Sequence, residues 1–256
     1  MSARAESGGG RPTAYGDPVT DPTAAGDEHA APTEHRQWRF TAPPGATTLL
    51  LIRHGESAAA RDDQPFDLVG GHGDPPLHPQ GRAQAALLAE RLGHEPITAA
   101  YVTTLRRTVE TARPLLDRLG LQAEVEPDLR EVFLGEWENE KYRRYMAERH
   151  PLAMRVWQEE RWDLIPGAEP AEQFAERVGA AVERIAARHP DELVAVFTHG
   201  GVIGAILALA TRSRPFAFVG ADNGSISELV LMPDRWVLRS YNDTAHLRDL
   251  PDTPVG

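Results

Sequence analysis

Apolar residues are unevenly distributed along this chain, and from Thr47 onward they fall into two kinds of stretch. The run TTLLLI at 47–52 is short and continuous, which is typical of a strand buried on both faces. PQGRAQAALLAERLG at 79–93 has a proline at its start, apolar residues at helical spacing and a glycine at its end. The first stretch therefore predicts a strand and the second a helix.

The same alternation continues towards the C-terminus. The further predicted strands are ITAAYVT, AEVEP and LVAVFTH, and the further predicted helices are LRRTVETARPLLDRLG, EPAEQFAERVGAAVERIAARH and GVIGAILALA. SISELVLM and WVLRSYN predict a closing hairpin around Pro233 and Asp234. Strands alternating with helices predict an α/β fold, a three-layer αβα sandwich with a mostly parallel central sheet. Aromatic and charged residues at helical spacing add a helical insertion at about 138–170, which we expect to lie over the functional site.

Residues 1–45 lack this periodicity. They are rich in Gly, Ala, Pro, Thr and acidic residues, so they cannot bury enough surface to offset their ordering entropy. We expect a disordered N-terminal tail at 1–45 and one folded domain at 46–256.

Composition and charge narrow the class of protein. The 256 residues contain no cysteine, which removes disulfides, thiolate metal sites and cysteine nucleophiles together. The net charge of -11 argues against a nucleic-acid partner, which needs a basic face. No stretch approaches the roughly 20 apolar residues of a membrane span, and the start has no apolar secretory segment. The sequence therefore predicts a cytoplasmic protein without a membrane partner, and it leaves the oligomeric state open.

Imidazole and guanidinium groups collect where the predicted strands end. Arg53 and His54 follow the first strand, Arg106 and Arg107 follow ITAAYVT, and His199 ends LVAVFTH. Ligands of such sheets bind at the carboxyl ends of the strands. We therefore expect these side chains to share one site.

The arginine beside His54 indicates an anion rather than a metal. Two histidines with nearby carboxylates could hold a transition ion, but the fixed charge of Arg53 would repel it. A guanidinium matches the oxygens of a phosphate and stays charged at neutral pH. No Walker or kinase motif is present, so we expect neither metal nor cofactor. An imidazole can attack phosphorus itself, and His54 is the candidate nucleophile.

Five segments carry a family resemblance. LIRHGES, GDPPLHPQGRAQA, TTLRRTVETA, LREVFLGEWE and VFTHGG occur in this order over about residues 47–242. The chain resembles the histidine phosphatases, also called the phosphoglycerate mutase-like superfamily.

The resemblance implies a role for each matching residue. His54 would become a phosphohistidine, Glu131 would protonate the leaving oxygen and later activate water, and Arg107 rather than Arg106 would be the second phosphate ligand. The implied substrate contacts are Arg53, Ser57, Arg107, His199 and the backbone N–H of Gly200. Because His54 must present an unprotonated nitrogen, we expect its other nitrogen to donate to the carbonyl of Gly55 or a neighbour.

Departures from the family pattern bear on the reaction. Val132 and Phe133 are apolar where mutases have Arg and His, and Ala60 stands where the family often has asparagine. A mutase needs extra basic residues for a second anionic group. We therefore predict a phosphomonoester hydrolase acting on a small phosphorylated metabolite. The alternatives are a cofactor-dependent phosphoglycerate mutase-type transfer and a non-catalytic phosphate-binding or interaction module.

Overall fold

The computed structural model of the protein describes residues 35–61, 64–139 and 141–250. Contacts divide the chain into two units, Met1–Phe40 and Thr41–Gly256. Of the first unit only residues 35–40 are described, and they form neither helix nor strand. Most of the predicted tail lies outside the described residues, so its disorder stays a prediction.

Every element predicted from the apolar pattern is present, with ends shifted by a few residues. The strands are β1 (Thr47–Arg53), β2 (Leu68–Val69), β3 (His72–Gly73), β4 (Ile97–Val102), β5 (Ala123–Val125), β6 (Leu193–Thr198), β7 (Ile226–Leu231) and β8 (Trp236–Asp243). The α-helices are α1 (Pro79–Leu92), α2 (Arg106–Leu119), α3 (Lys141–Ala147), α4 (Pro151–Glu159), α5 (Ala171–Arg188) and α6 (Gly200–Thr211). The sequence analysis missed only the β2–β3 hairpin, because two-residue strands have no readable period.

The central sheet has six strands in the order β5-β4-β6-β1-β7-β8. The pairs β5–β4, β4–β6 and β6–β1 are parallel, whereas β7 and β8 add an antiparallel hairpin beside β1. The prediction of a mostly parallel sheet between helices is confirmed.

Strand β1 shows why a continuous apolar run was needed. Leu49 and Leu51 pack on one face of the sheet, in a core that includes apolar residues of α5 and α6. Leu50 and Ile52 pack on the other face, in a core that includes residues of α1 and α2. Successive side chains of a strand point to opposite faces, so burial of both faces leaves no polar position at 49–52.

The register brings the carboxyl ends of three strands together. Arg53 at the end of β1 pairs with Thr198 of β6, and Val102 of β4 pairs with Phe197 of β6. The residues that follow these strands therefore leave the sheet at the same edge.

Helices α3 and α4 lie in the predicted insertion, and aromatic contacts connect them to the domain. The ring of Trp137 lies 4.8 Å from that of Tyr145, and the ring of Trp162 lies 4.5 Å from that of Phe216. Within the described part of the chain, no helix has both the length and the apolar character required to cross a membrane.

Candidate active site

A cavity of about 360 Å³ opens at the carboxyl edge of the sheet. Its walls include five residues predicted from the strand ends and motifs together with residues of the insertion. The predicted residues in the wall are Arg53, His54, Arg107, Glu131 and Gly200, and those of the insertion include Glu138, Tyr142, Arg143, Trp157 and Trp162. The insertion therefore forms one side of the cavity, as the sequence predicted.

The imidazole of His54 is fixed by the backbone. Its Nδ1 lies 2.7 Å from the carbonyl oxygen of Gly55, which can only accept, so Nδ1 carries the proton and Nε2 keeps a lone pair. The N–H of Gly55 donates to Thr111 Oγ1 at 2.9 Å, and the side chain of Asn223 donates to the carbonyl of His54. The expectation that Gly55 orients this ring is confirmed.

Electrostatics keep His54 neutral. Burial lowers the pKa of His54 well below its ordinary value of 6.5, and the positive charges of Arg107 and Arg53 lower it further. The bond to the Gly55 carbonyl opposes the shift without reversing it. A neutral imidazole with a free Nε2 lone pair is therefore the ground state at neutral pH.

His199 lies behind His54 and is fully buried. The two ring centroids are 5.2 Å apart, and His199 Nε2 lies 3.0 Å from Thr103 Oγ1. Burial lowers the pKa of His199 well below 6.5, and the positive charge of Arg107 lowers it further. Its Nδ1 is buried and has no hydrogen-bond partner among the described residues. If the Thr103 hydroxyl donates to Nε2, Nδ1 carries a proton that a phosphoryl oxygen could accept.

The two predicted arginines reach the cavity and their neighbour does not. Arg53 Nη1 donates to the carbonyl of Ala221 at 2.5 Å, and Arg107 Nη1 donates to that of Gly73 at 3.0 Å. Burial lowers the pKa of Arg107 to about 10, so its guanidinium stays charged at neutral pH. Arg106, by contrast, has a 43% exposed side chain directed to Asp74.

Glu131 lies across the cavity in the loop that leads into the insertion. Its Oε1 accepts the N–H of Val132 at 2.9 Å, and its Oε2 accepts the N–H of Gly201 at 3.1 Å. Gly201 has no room for a Cβ beside this carboxylate. The close approach of α6 to Glu131 therefore requires glycine.

Gly200 and Ser57 occupy different positions relative to the cavity. Gly200 begins α6 in the wall, and a Cβ there would lie 3.3 Å from Arg53 Nε. Ser57 is buried and its hydroxyl accepts a hydrogen bond from Arg143 Nη2 at 2.7 Å. Ser57 thus reaches the cavity through Arg143, and its direct contact with substrate stays a prediction.

Three wall residues were missed by the sequence analysis. Arg143 of α3 is exposed on one side and also donates to the carbonyl of Ala58 at 3.0 Å. Glu138 accepts the N–H groups of Gly73 and Leu134, and burial raises its pKa. His72 is buried beside Glu138. Burial, and after it the positive charge of Arg130, lowers the pKa of His72 to about 4. An arginine next to a tyrosine in the insertion was the only signal for Arg143.

Within the described residues, no group of three or more His, Asp or Glu side chains is arranged to hold a metal ion. The charged groups of the wall are instead three guanidiniums and the carboxylates of Glu131 and Glu138. This set offers more positive than negative charge to a ligand, as an anion requires.

Comparison with known proteins connects this geometry to a family. The family model described as histidine phosphatase superfamily (branch 1) matches residues 49–244. The metal-independent phosphoserine phosphatase of Arabidopsis thaliana is 34% identical, over 78% of this chain and 83% of its own. The phosphoglycerate mutase-like protein 4 of the same plant is 33% identical, over 78% and 87%.

A solved structure shows the same fold. The mycobacterial glucosyl-3-phosphoglycerate phosphatase superposes with a TM-score of 0.64 at 28% identity. The match covers 78% of this chain and 100% of the phosphatase chain.

Proposed function

This chain belongs to branch 1 of the histidine phosphatase superfamily. We propose that it hydrolyses phosphate monoesters and that His54 carries the phosphoryl group as a phosphohistidine intermediate. Phosphatase activity is what the family and its phosphatase-named relatives support. The roles of the individual residues, the covalent intermediate and a cytoplasmic location are parts of our proposal.

The observation that carries the proposal is the state of His54. Its ring is buried and neutral between two arginines, and its Nδ1 is held by the Gly55 carbonyl at 2.7 Å. The Nε2 lone pair is therefore ready to attack without prior loss of a proton. Such an attack divides one difficult displacement into two easier ones.

In the first step, His54 Nε2 forms a bond to phosphorus while the bond from phosphorus to the ester oxygen breaks. Glu131, protonated at this point, gives its proton to the departing oxygen. Arg53 and Arg107 bind the equatorial phosphoryl oxygens, on which negative charge is spread in the transition state. His199 Nδ1 and the N–H of Gly200 supply further donors.

In the second step, Glu131 is a carboxylate and accepts a proton from water as the water oxygen bonds to phosphorus. The bond between phosphorus and His54 Nε2 then breaks. Inorganic phosphate leaves, and both His54 and protonated Glu131 return to their starting states. The guanidinium groups supply the positive charge that a metal ion supplies in other phosphatases.

Arg143 indicates the kind of substrate. With Arg53 and Arg107 it puts a third guanidinium at the same cavity, more than one phosphoryl group requires. Phosphoserine and phosphoglycerate, which appear in the names of the relatives, carry a carboxylate close to the phosphate ester. We propose a substrate with a second anionic group of this kind, located on the side of Arg143.

Hydrolysis is favoured over phosphoryl shuttling by the wall beside Glu131. Val132 and Leu134, both apolar, line the cavity there. A mutase must hold two phosphoryl groups, and among the arginines that the structure describes in this wall, Arg143 alone remains once Arg53 and Arg107 bind the first. Adding 2,3-bisphosphoglycerate to an assay with phosphoglycerate distinguishes the two reactions, because a hydrolase releases inorganic phosphate and does not form the isomeric ester.

The covalent step is tested with p-nitrophenyl phosphate in the presence of EDTA. We expect wild-type turnover to persist and His54→Ala to abolish it. Glu131→Gln should lower kcat by about 10²- to 10⁴-fold, because hydrolysis of the phosphohistidine loses the base that activates water. Rapid mixing with ³²P-labelled substrate and an alkaline quench should trap label on wild type and not on His54→Ala. The exposed His94, replaced by Ala, is the control.

Two results would contradict the proposal. Turnover by His54→Ala near the wild-type rate would remove the nucleophile. If EDTA abolished wild-type turnover and added metal restored it, a metal ion rather than the arginines would be the source of positive charge.

A further inference from the structure

One ion pair outside the cavity holds the loop that carries Glu131. Arg177 of α5 and Glu169 form a bidentate pair, with Nε to Oε1 at 2.6 Å and Nη2 to Oε2 at 2.9 Å. Their side chains are 17% and 15% exposed. A pair this sheltered and this well aligned is stronger than an ordinary surface salt bridge.

The remaining N–H groups of Arg177 bind the loop itself. Nη1 donates to the carbonyls of Asp128 at 2.5 Å and Arg130 at 2.9 Å, and Nη2 donates to the carbonyl of Glu131 at 3.0 Å. A guanidinium has five N–H donors, and Arg177 uses all five on Glu169 and these carbonyls. Three of the five donors thus hold backbone carbonyls, and the other two hold the carboxylate of Glu169.

Glu169 holds the other side of Glu131. Its Oε2 accepts the N–H of Phe133 at 3.3 Å, and its own N–H donates to the carbonyl of Phe133 at 2.9 Å. The backbone is therefore bonded on both sides of Glu131, at 128–131 by Arg177 and at 133 by Glu169. The carboxylate itself has only the N–H groups of Val132 and Gly201 to hold it.

We infer that Arg177 and Glu169 are positioning residues for the carboxyl group of Glu131. The inference rests on the proposed function, in which Glu131 must reach the ester oxygen on phosphorus bound to His54. A displacement of about 1 Å in such a group lowers the rate by about 10²-fold. Neither residue lines the cavity, so their effect passes through Glu131.

Arg184 provides the matched control. It lies two turns further along α5 and binds the beginning of the same loop, at Glu126 Oε1 and Asp128 Oδ2. Its side chain is 49% exposed and it contacts side chains only, not the carbonyl of Glu131. Arg177 and Arg184 thus share helix, charge and loop, and differ in their contact with Glu131.

The test compares two substrates in Arg177→Lys and Arg184→Lys. An alkyl phosphate has a poor leaving group that requires protonation, whereas p-nitrophenyl phosphate has a good one that requires little. The ratio kcat/KM covers formation of the phosphohistidine and excludes its hydrolysis. We expect Arg177→Lys to lower kcat/KM for the alkyl phosphate by about 10- to 100-fold and for p-nitrophenyl phosphate by less than about threefold. Arg184→Lys should leave both within about twofold.

A second measurement separates positioning from loss of structure. Arg177→Lys in a Glu131→Gln background should cause no further selective loss, because the acid is already absent. Urea unfolding shows whether each variant is folded. Should Arg177→Lys fail to fold, Glu169→Gln takes its place, since it keeps an oxygen acceptor and removes the charge.

The outcomes distinguish this inference from the proposed function. The inference alone is overturned if Glu131→Gln shows the selective loss while Arg177→Lys lowers kcat/KM equally for both substrates or for neither. If Glu131→Gln shows no selectivity between the substrates, the acid assignment fails and the inference fails with it. Selective loss in both, non-additive in the double variant, supports positioning.

Discussion

At the scale of single residues, Gly55 determines the state of the nucleophile. Its carbonyl accepts from His54 Nδ1 and its N–H donates to Thr111 Oγ1. A Cβ at Gly55 would lie 2.5 Å from the carbonyl oxygen of Gly81 in α1, which is backbone and cannot move aside. The glycine after His54 is therefore required by the close approach of the end of β1 to the start of α1.

Replacing Gly55 by Ala should accordingly affect both stability and catalysis. We expect the free energy of unfolding to fall by about 1–3 kcal/mol, as is usual for overpacking, and kcat to fall by at least about tenfold because the clash displaces the backbone carbonyl that orients the imidazole. Urea unfolding and phosphate release measure the two effects. Gly179→Ala in α5 is the control, since its Cβ would meet Leu209 at an ordinary 3.4 Å. A fully active Gly55→Ala would show that the close approach to α1 is not needed to place this carbonyl.

At the scale of elements, the insertion supplies the part of the wall that we propose contacts the ester group. The ends of β1, β4 and β6 supply the proposed phosphate ligands, whereas α3 adds Tyr142 and Arg143, and α4 adds Trp157. Arg143 also reaches across to Ser57 at 2.7 Å, which joins the insertion to the RHGES segment. Specificity for the ester group is therefore expected to reside in this element.

Arg143→Met should change substrate preference rather than the reaction. We expect kcat/KM for phosphoserine to fall by about tenfold, the value of one charged hydrogen bond at an exposed position, with little change for p-nitrophenyl phosphate. Arg144→Met is the matched control on α3, because Arg144 is similarly charged and is directed to Glu148 and the ring of Tyr145. Equal losses for both substrates would argue that Arg143 binds the phosphoryl group itself.

At the scale of the whole molecule, the site places neutral histidines in a buried, positive environment. Burial lowers the pKa of His54 and His199 well below 6.5 and that of His72 to about 4. In the unfolded chain these side chains take up protons near pH 6.5. Below that pH the unfolded state binds more protons than the native state. The free energy of unfolding therefore decreases as the pH is lowered.

We therefore expect the free energy of unfolding to decrease between pH 6.5 and 5. Each of the three histidines contributes a slope of about 1.4 kcal/mol per pH unit, present until the pH reaches its folded pKa. Urea unfolding at intervals of half a unit measures the slope, and His72→Asn should reduce it by one histidine's share. His94→Asn, at an exposed position, is the control. An unchanged slope in His72→Asn would contradict the low pKa of His72.

The amino-acid sequence by itself determined the order of the strands and helices and the position of His54 among them. Helical and strand periods are local, so the order of the elements could be predicted from residue spacing, and RHG after an apolar strand placed His54 at the edge of the sheet. The resemblance also selected Arg107 over Arg106, and Arg107 is the one that lines the cavity. These features depend on neighbours within a few residues of the chain.

The tertiary structure alone decided how distant segments complete the site. Arg143 enters the wall because α3 docks against the RHGES segment, 86 residues away, and Arg177 bonds the Glu131 carbonyl across 46 residues. A helical period shows which residues share a face of a helix but not which surface that face will contact. Docking of this kind positions the loop that carries Glu131, the ion pair of Arg177 and Glu169, and the side of the cavity formed by the insertion. It depends on the packing of the whole domain.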